Sequence, residues 1–355
     1  MTDTNEPVRH RLGRGRMLAF AAVAGAGGVI LGLTALLMLD LWVHRKFDQA
    51  AGLNIWGYRG PTVGRKAGGE YRVVVLGAST VFGYGVAWSD AFPAQLERKL
   101  RAASGTGRPF SVVNLGYNNE GAYSFRFTLR DYAYLKPDLA ILYAGYSEIY
   151  GLNTNIYRRD SFVFRLTGYY PLLPLVAREK VMALRYGGDL EAAYRAKNAG
   201  AVPIVFRPNV AASPAVAAPE AAVARGAAPG AGDPNTLERS TALYHDVMIN
   251  AVAVALEQGT SVLVVGQPYY GEGNARQQEN LQRALADRFG QRPQVRYLDL
   301  SHAVDMHDPT LTFDRMHLTA AGNGRLAESL LRPTLDMVAR SGVTGSAPGP
   351  RSADR

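Results

Sequence analysis

The sequence feature that most constrains the fold is residues 71–85, where an apolar run leads directly into the glycine-flanked Ser79. Residues 73–76 read Val-Val-Val-Leu, and such a short run between polar residues and glycine is typical of a strand buried in a parallel sheet. In open α/β sheets, ligands bind beyond the carboxyl ends of the strands. Ser79 is therefore a candidate for chemistry, although most serines in such turns are helix caps or turn formers.

A second candidate group, Asp314 and His317, lies near the end of the chain, just before a predicted helix at residues 319–338. A serine hydroxyl is a poor nucleophile at neutral pH unless an imidazole takes its proton and a carboxylate orients that imidazole. A spacing of three residues lets the carboxylate and the imidazole meet on one turn. An isolated Asp-x-x-His is more often a polar loop, but with Ser79 at a strand end it indicates a Ser-His-Asp triad.

Four further apolar runs predict strands, and the segments between them predict helices. The predicted strands after residues 73–76 are residues 111–115, 138–143, 261–265 and 295–298. The predicted helices of the core are residues 89–103, 122–135, 235–258, 274–289 and 319–338. Five buried strands separated by helices predict an α/β fold, a three-layer α/β/α sandwich around a five-stranded parallel sheet.

Four blocks of the sequence, taken in order, resemble the SGNH or GDSL-type hydrolases. They are Gly77-Ala78-Ser79 with two later glycines, residues 113–124, residues 143–148, and the Asp314-x-x-His317 pair. Together they cover roughly residues 72–338. The resemblance implies the flavodoxin-like strand order 2-1-3-4-5, with Ser79 as nucleophile, His317 as general base and Asp314 as its orienting carboxylate.

Two residues depart from the pattern of that family. Ala78 stands where an Asp is usual beside the nucleophile, and that side chain is not one of the reacting groups. Ser147 stands where the family has an Asn whose amide donates to the oxyanion, and losing one such donor costs about 10²–10³ in rate. Either the Ser147 hydroxyl donates instead, or Asn118 or Asn119 supplies the amide, or the enzyme is slow.

The resemblance also implies which backbone groups form the oxyanion hole. The N–H groups of Ser79 and Gly121 are expected to meet the oxyanion together with Ser147. Gly116 is the alternative to Gly121, because the loop between these two glycines is one or two residues longer than the usual form. Either glycine is equally explained by a turn that needs positive φ.

The N-terminal part of the chain predicts one membrane span. Residues 17–39 form an uncharged apolar run of about 23 residues, long enough to cross a hydrocarbon core of about 30 Å as a helix. Arginines in residues 1–16 outweigh the positive charges that follow the run, which predicts a cytoplasmic N-terminus. A cleaved signal peptide and a buried soluble helix are the alternatives. The run is too long for a signal peptide and lacks a nearby cleavage site.

The resulting organisation is one anchored domain. The predicted segments are a cytoplasmic N-terminus at residues 1–16, the span at 17–39, a juxtamembrane connector at 40–70, the hydrolase-like domain at 71–340 and a disordered tail at 341–355. Residues 151–234 form an insertion, with a flexible Ala- and Pro-rich part at residues 198–234. Trp42, Trp56 and Tyr58 lie either at the membrane interface or against the domain.

The amino-acid composition and the spacing of polar residues exclude several kinds of site. The chain has no cysteine, which excludes disulfides, thiolate metal sites and cysteine nucleophiles. The net charge is +9, but the basic residues do not form a stripe with aromatic residues among them, so no nucleic-acid partner is expected. No cofactor and no metal are expected either, because the spacing of His302, Asp305, His307 and Asp308 matches no metal-site geometry. Residues 77–85 lack the Gly-Lys-Ser/Thr ending of a phosphate-binding loop.

Several tyrosines fall near the predicted strand ends and could stack on sugar rings, although core or pocket-wall positions are commoner for aromatic residues. They are Tyr84, Tyr117, Tyr143, Tyr146 and Tyr150.

The sequence thus predicts a membrane-anchored serine esterase whose domain lies outside the cytoplasmic membrane. Expected substrates are acyl esters, including O-acetyl esters, of cell-envelope glycans or lipids. An O-acyltransferase with the same triad is one alternative, and a binding or assembly protein that retains the fold without activity is the other. The sequence does not indicate the oligomeric state.

Overall fold

A computed structural model describes most of the chain. The described ranges are residues 14–48, 52–104, 108–148, 152–189, 234–268 and 272–344. The predicted Ala- and Pro-rich segment lies almost entirely outside them, as do residues 1–13 and 345–355.

The core of the structure is a five-stranded parallel sheet of strand order β2-β1-β3-β4-β5, as predicted. Its strands are β1 (Tyr71–Gly77), β2 (Phe110–Asn114), β3 (Leu139–Tyr143), β4 (Ser261–Gly266) and β5 (Val295–Asp299). The register pairs Gly77 with Tyr143, so the carboxyl ends of β1 and β3 lie side by side. The segments that follow those two strands therefore meet at one edge of the sheet.

Helices cover both faces of the sheet, which makes the three layers that were predicted. The helices are α1 (Arg14–Lys46), α2 (Ser79–Phe82), α3 (Phe92–Ala103), α4 (Ala122–Asp131), α5 (Phe162–Thr167), α6 (Leu173–Arg185), α7 (Pro234–Glu257), α8 (Glu272–Phe289) and α9 (Ala320–Thr344). Helices α4, α7 and α8 pack on the face that presents Val74 and Leu76, and α3 and α9 pack on the face that presents Val73 and Val75. Alternate residues of β1 thus serve opposite layers, as in a strand buried on both sides.

The apolar run at residues 17–39 is helical, within α1. Residues 15–46 form a helix that is long and apolar enough to span a membrane, by length and composition. The most apolar stretch of this helix is not buried. The helix continues to Lys46, beyond the predicted start of the connector at residue 40. Near its end, Val43 is buried in the core of the domain, so the last turns of α1 already belong to the globular part.

The connector that follows α1 is packed against the domain at residues 52–60, whereas residues 61–70 are mostly exposed. Arg59 forms backbone bridges with Leu53 and with Asn114 at the end of β2. Tyr58 is 1% exposed and its ring contacts Tyr132 edge-on. Of the three aromatic residues considered for the membrane interface, Tyr58 is therefore a core residue, Trp56 packs partly against the same core, and Trp42 is exposed.

Other boundaries differ from the predictions by a few residues. Helix α4 ends at Asp131, and a 3₁₀ turn at Ala133–Leu135 completes the segment that was predicted as one helix to residue 135. Lys136 then adopts a left-handed conformation with φ 50°, before Pro137. Helix α9 continues to Thr344, whereas residues 341–344 were predicted to belong to a disordered tail.

Candidate active site

Ser79 is the first residue of α2, immediately beyond β1. Gly77 at the strand end has no room for a Cβ, which would meet the Val81 side chain and, at 2.6 Å, the carbonyl oxygen of Tyr143. The four-residue helix ends at Phe82 and is followed by Gly83, whose φ of 79° is one that glycine adopts without strain. This tight strand-to-helix turn leaves the Ser79 side chain 7% exposed at the carboxyl edge of the sheet.

Asp314 and His317 belong to a compact turn before α9. Thr312 and Leu318 form a backbone bridge that closes the turn, and Arg315 within it has a φ of 61°. One carboxylate oxygen of Asp314 accepts the backbone N–H groups of Met316, at 3.0 Å, and of His317, at 2.7 Å. The aspartate side chain thus organises the same turn that carries the histidine.

The structure brings the three residues together. The other oxygen of Asp314 lies 2.7 Å from His317 Nδ1, and His317 Nε2 lies 2.8 Å from Ser79 Oγ. Because a carboxylate can only accept, Nδ1 carries the ring proton and Nε2 accepts from the serine hydroxyl. The Tyr84 ring lies beside the imidazole, with a centroid distance of 4.7 Å.

The pKa of Asp314 is lowered from its ordinary value. Burial on its own raises this pKa, but hydrogen bonds and the charge interaction with His317, and the N–H of Met316, lower it by more. Asp314 is therefore ionised at neutral pH. An ionised carboxylate next to Nδ1 holds the imidazole in the tautomer that can accept a proton from Ser79.

Arg59 braces the turn that carries Ser79. Its guanidinium donates to the carbonyl oxygens of Phe82, Gly83 (2.7 Å) and Val86 (2.6 Å), so it holds the end of α2 and the following residues. The same group lies over the Phe82 ring. Burial lowers the pKa of Arg59 to about 9. The connector after α1 therefore contributes directly to the position of the turn that carries Ser79.

The loop after β2 carries the two glycines that were considered for the oxyanion hole. The N–H of Gly116 already donates to Asn114 Oδ1 at 3.0 Å, and its Cα faces the backbone of Phe82 at the end of α2. Gly121 is the N-cap residue of α4, a position where no helical carbonyl accepts the N–H. The Gly116 N–H is thus already engaged by Asn114, and the role of Gly121 as an oxyanion donor stays a prediction.

The asparagines of this loop lie in different surroundings. Asn119 has a φ of 58°, and its amide donates to the Tyr157 hydroxyl at 2.8 Å. That bond directs the amide toward the insertion. The side-chain oxygen of Asn118 is buried and has no hydrogen-bond partner in the described part of the chain.

A buried ion pair fixes the same loop from the other side. Arg158, from the 3₁₀ turn Tyr157–Asp160, donates to the carbonyl oxygens of Leu115 (2.8 Å) and Gly116 (3.1 Å). It also lies 3.4 Å from Glu120 Oε2, and both side chains are almost fully buried. Burial raises the pKa of Glu120 although the charge of Arg158 lowers it. Arg158 therefore fixes the conformation of the loop between Gly116 and Glu120.

The third block forms the 3₁₀ turn Tyr146–Glu148 beside β3. The side chain of Ser147 lies outside the described part of the structure, so its expected role in the oxyanion hole stays a prediction. Its neighbour Glu148 is buried and accepts the N–H of Ala122, the first residue of α4, at 2.7 Å. Burial raises the pKa of Glu148 to about 7. This carboxyl joins the third block to the end of the second.

The tyrosines at the strand ends lie in different surroundings. Tyr143 and Tyr146 are buried, and the Tyr117 hydroxyl is 2.7 Å from that of Tyr170. Tyr150 lies outside the described residues. Tyr84, next to His317, is the one described member of the set that borders the nucleophile.

Sequence reasoning missed three buried charged residues of this region, Arg59, Arg158 and Glu148. Arg59 lies in a segment interpreted as a connector, and Arg158 lies in the insertion, where the residue pattern is mixed and was interpreted only as helices of a cap or membrane-proximal insertion. Glu148 directly follows Ser147, so the third block contained it, although nothing in the local pattern indicates its burial.

Comparisons with known proteins give similarity at the level of the fold. No family model matches the chain, and no curated protein matches it. The chain is similar to a solved structure described as a lipolytic protein of the G-D-S-L family from Desulfitobacterium hafniense DCB-2, at 12% identity, 74% of this chain, 98% of that one and a TM-score of 0.40.

Two other solved structures show similarity of the same extent. One is an alpha/beta hydrolase enzyme from the metagenome of Lake Arreo, at 17% identity, 75% of this chain, 96% of that one and a TM-score of 0.42. The other is a catalytic mutant of an acetylxylan esterase from Geobacillus stearothermophilus, at 12% identity, 74% of this chain, 93% of that one and a TM-score of 0.42.

Proposed function

We propose that this protein is a serine ester hydrolase with Ser79, His317 and Asp314 as its triad. The observation that carries the proposal is the continuous hydrogen-bonded arrangement from Asp314 Oδ2 through both ring nitrogens to Ser79 Oγ, with distances of 2.7 and 2.8 Å. A nucleophile within hydrogen-bond reach of a base, which is itself oriented by a third group, is the signature of covalent acyl transfer.

In the proposed reaction, Ser79 Oγ attacks the ester carbonyl carbon while His317 Nε2 takes the hydroxyl proton. Collapse of the tetrahedral intermediate breaks the bond to the alcohol, which leaves with the proton from His317. Water then attacks the acyl-enzyme, again through His317, and releases the acid and the free serine. Asp314 stabilises the imidazolium in both halves without itself taking the proton.

The oxyanion in this proposal is bound by the N–H groups of Ser79 and Gly121. Ser79 is at the N-terminus of α2 and Gly121 at the N-terminus of α4, and such positions have no helical acceptor for their N–H groups. Ser147 is proposed as the third donor. Preorganised donors of this kind contribute the largest single term in many acyl-transfer enzymes.

The proposed setting is the outer side of the cytoplasmic membrane, with α1 as an uncleaved anchor and residues 1–16 in the cytoplasm. The length and exposure of the apolar segment of α1 support an anchor, and the arginines before it support this orientation. We propose acyl esters, O-acetyl esters among them, of envelope glycans or lipids as the substrates, because an anchored domain meets those molecules.

The catalytic assignment is tested with a fluorophosphonate probe and a p-nitrophenyl acetate assay on the full chain in detergent. Wild type is expected to label and to hydrolyse the ester, and Ser79→Ala is expected to do neither. Ser89→Ala is the matched control, because the bond between Ser89 and Arg98 uses the serine's backbone carbonyl, which the substitution keeps. A folded wild-type protein that neither labels nor hydrolyses would identify a binding protein instead.

Hydrolase and transferase are separated by following the acetyl group. Purified protein is incubated with an acetylated glycan, with and without a non-acetylated acceptor oligosaccharide. Release of acetate in equal amounts under both conditions supports the hydrolase. Acetyl groups that appear on the acceptor, with little free acetate, would show that a sugar hydroxyl replaces water as the second nucleophile.

A further inference from the structure

The end of the apolar helix is fixed to the domain by a buried carboxylate. Asp40, directly after the apolar run, accepts hydrogen bonds from the Tyr169 hydroxyl and, at 2.5 Å, from the N–H of Leu173. His44, one turn further on, lies 3.0 Å from the Leu53 carbonyl oxygen and 3.1 Å from that of Tyr170. Asp40 and His44 therefore fix the segment between α5 and α6 to the end of the apolar segment of α1.

Helices α5 and α6 expose apolar side chains next to this point. Phe164 anchors α5 in the core, while its neighbours Phe162 and Leu166 are 67% and 72% exposed. On α6, Leu184 is 82% exposed, and the helix has no buried residue. Outside α1, six of the eight large hydrophobic side chains that are exposed in the described ranges lie in residues 162–186.

These side chains lie close to the end of the apolar segment. Leu166 is three residues before Tyr169, which spans at most about 11 Å of extended chain. Leu184 is eleven residues after Leu173 along α6, a rise of about 16 Å at 1.5 Å per residue. The exposed apolar residues of α5 and α6 thus lie within about 16 Å, along the chain, of residues that contact the end of the apolar segment, and they are not scattered over the domain.

The same two helices expose basic residues. Arg165 lies on α5, and Arg178, Lys180 and Arg185 lie on α6, all of them exposed. Apolar and basic side chains side by side are typical of helices that lie in the headgroup region of an anionic bilayer. Long basic side chains can reach the phosphates while their neighbours enter the acyl boundary.

From this arrangement we propose that α5 and α6 form a second membrane contact, in which Phe162, Leu166 and Leu184 enter the headgroup–acyl boundary beside α1. The partner is the surface of a lipid bilayer with anionic headgroups. The proposal depends on α1 being a membrane span, and it does not depend on the catalytic assignment. It places helices α5 and α6, which follow the turn that carries Arg158, against the lipid surface.

The absence of cysteine from the chain makes a site-specific test direct. Single-cysteine variants Leu166→Cys and Leu184→Cys of the full chain are labelled with the polarity-sensitive dye NBD and inserted into phosphatidylcholine/phosphatidylglycerol nanodiscs. Leu31→Cys, within the apolar segment of α1, is the control for insertion. Arg332→Cys is the control for the opposite face, because α9 packs on the other side of the sheet.

Doxyl-labelled lipids are expected to quench NBD at positions 31, 166 and 184 by at least about twofold more than at position 332. Blue-shifted emission at positions 166 and 184 without lipid quenching would mean that protein covers these residues, and it overturns the proposal. Quenching at position 31 alone overturns the second contact and leaves the anchor intact. No quenching at position 31 overturns both, and the ester hydrolysis assay remains an independent result.

Discussion

His317 Nε2 and Ser79 Oγ lie 2.8 Å apart although 238 positions separate the two residues in the chain. The serine is placed by the end of β1, and the histidine by the closed turn before α9. Gly77 and Gly83 shape the first turn and Asp314 shapes the second, and the Tyr84 ring of the first turn lies beside the imidazole of the second. Two local structures far apart in the chain therefore converge on one hydrogen bond at the carboxyl edge of the sheet.

Replacement of Asp314 by Asn should lower activity far more than stability. An amide can present its N–H₂ group to Nδ1, which stabilises the tautomer that cannot accept the Ser79 proton. We expect kcat to fall by about 10⁴, as it does when the tautomer is wrong in such triads. Steady-state hydrolysis of p-nitrophenyl acetate measures the effect. An Asp314→Asn variant with kcat within tenfold of wild type would remove Asp314 from the triad.

Gly121→Ala should impair catalysis by displacing the proposed oxyanion donor. A Cβ at this position would collide with the Glu148 carboxylate and approach the Asn153 side chain to 3.0 Å, so the backbone must move. Loss of one donor corresponds to a fall in kcat of about 10²–10³. Gly64→Ala is the control, since a Cβ there meets nothing within 4 Å. Equal kcat values for the two variants would exclude Gly121 as a donor.

Arg158→Lys should destabilise the domain and slow hydrolysis together. A lysine cannot reproduce the bonds of the guanidinium to Leu115, Gly116 and Gly57, and it leaves Glu120 buried with a poorly placed partner. Breaking a buried pair costs about 3–5 kcal/mol.

The neighbouring residue supplies a matched control for this substitution. Arg159 pairs with Asp131 at the surface, and Arg159→Lys should cost less than about 1 kcal/mol. Urea unfolding and kcat are measured for both variants. Similar unfolding free energies for Arg158→Lys and Arg159→Lys would contradict the bracing role of Arg158.

Glu148 should make the stability of the domain depend on pH. Burial raises the pKa of Glu148 from 4.5 to about 7, so between these values the unfolded chain is ionised while the folded protein keeps the proton. The unfolding free energy therefore falls as pH rises through this window. Glu148→Gln keeps an acceptor for the Ala122 N–H and has no such proton to lose.

The expected result is that Glu148→Gln loses less stability than wild type between pH 5 and pH 8. One kcal/mol shifts the melting temperature by about 2–4 °C in a domain of this size, so the difference should amount to several degrees. Thermal unfolding of the full chain in detergent measures it, with the exposed Glu257→Gln as control. Parallel profiles for Glu148→Gln and wild type would contradict the raised pKa.

The sheet was predictable from sequence because its signals are local. Runs such as residues 73–76 and 139–143 are apolar on both faces, and this pattern alone indicates a strand covered by helices on both sides. The strand order 2-1-3-4-5 followed from the resemblance. The proximity of Ser79 to His317 was also predicted, because a serine nucleophile needs a base within hydrogen-bond reach.

The bracing of the site was not predictable from sequence. A single arginine such as Arg59 carries no periodic signal, and a charged residue is normally exposed. Its burial depends on carbonyl oxygens of Phe82, Gly83 and Val86 that converge only once the turn has formed. Arg158 depends in the same way on the carbonyl groups of Leu115 and Gly116.

Helix ends were predicted only approximately for a similar reason. The pattern of residues 122–135 stays helical, but Lys136 takes a left-handed conformation and the last turn tightens to a 3₁₀ form. Near the other end of the chain, α9 continues past residue 340 to Thr344. Composition alone indicated disorder there.

Arg59 and Asp40 together fix the position of Ser79 relative to α1. Arg59 belongs to the segment between α1 and β1, and it holds the turn that carries Ser79, while Asp40 holds the foot of the domain to α1. With α1 as the proposed anchor, Ser79 is held at a fixed distance from the membrane and does not move on a flexible tether. Under that proposal only ester bonds at this distance from the bilayer reach the serine, so a substrate is selected by the position of its ester as well as by its chemistry.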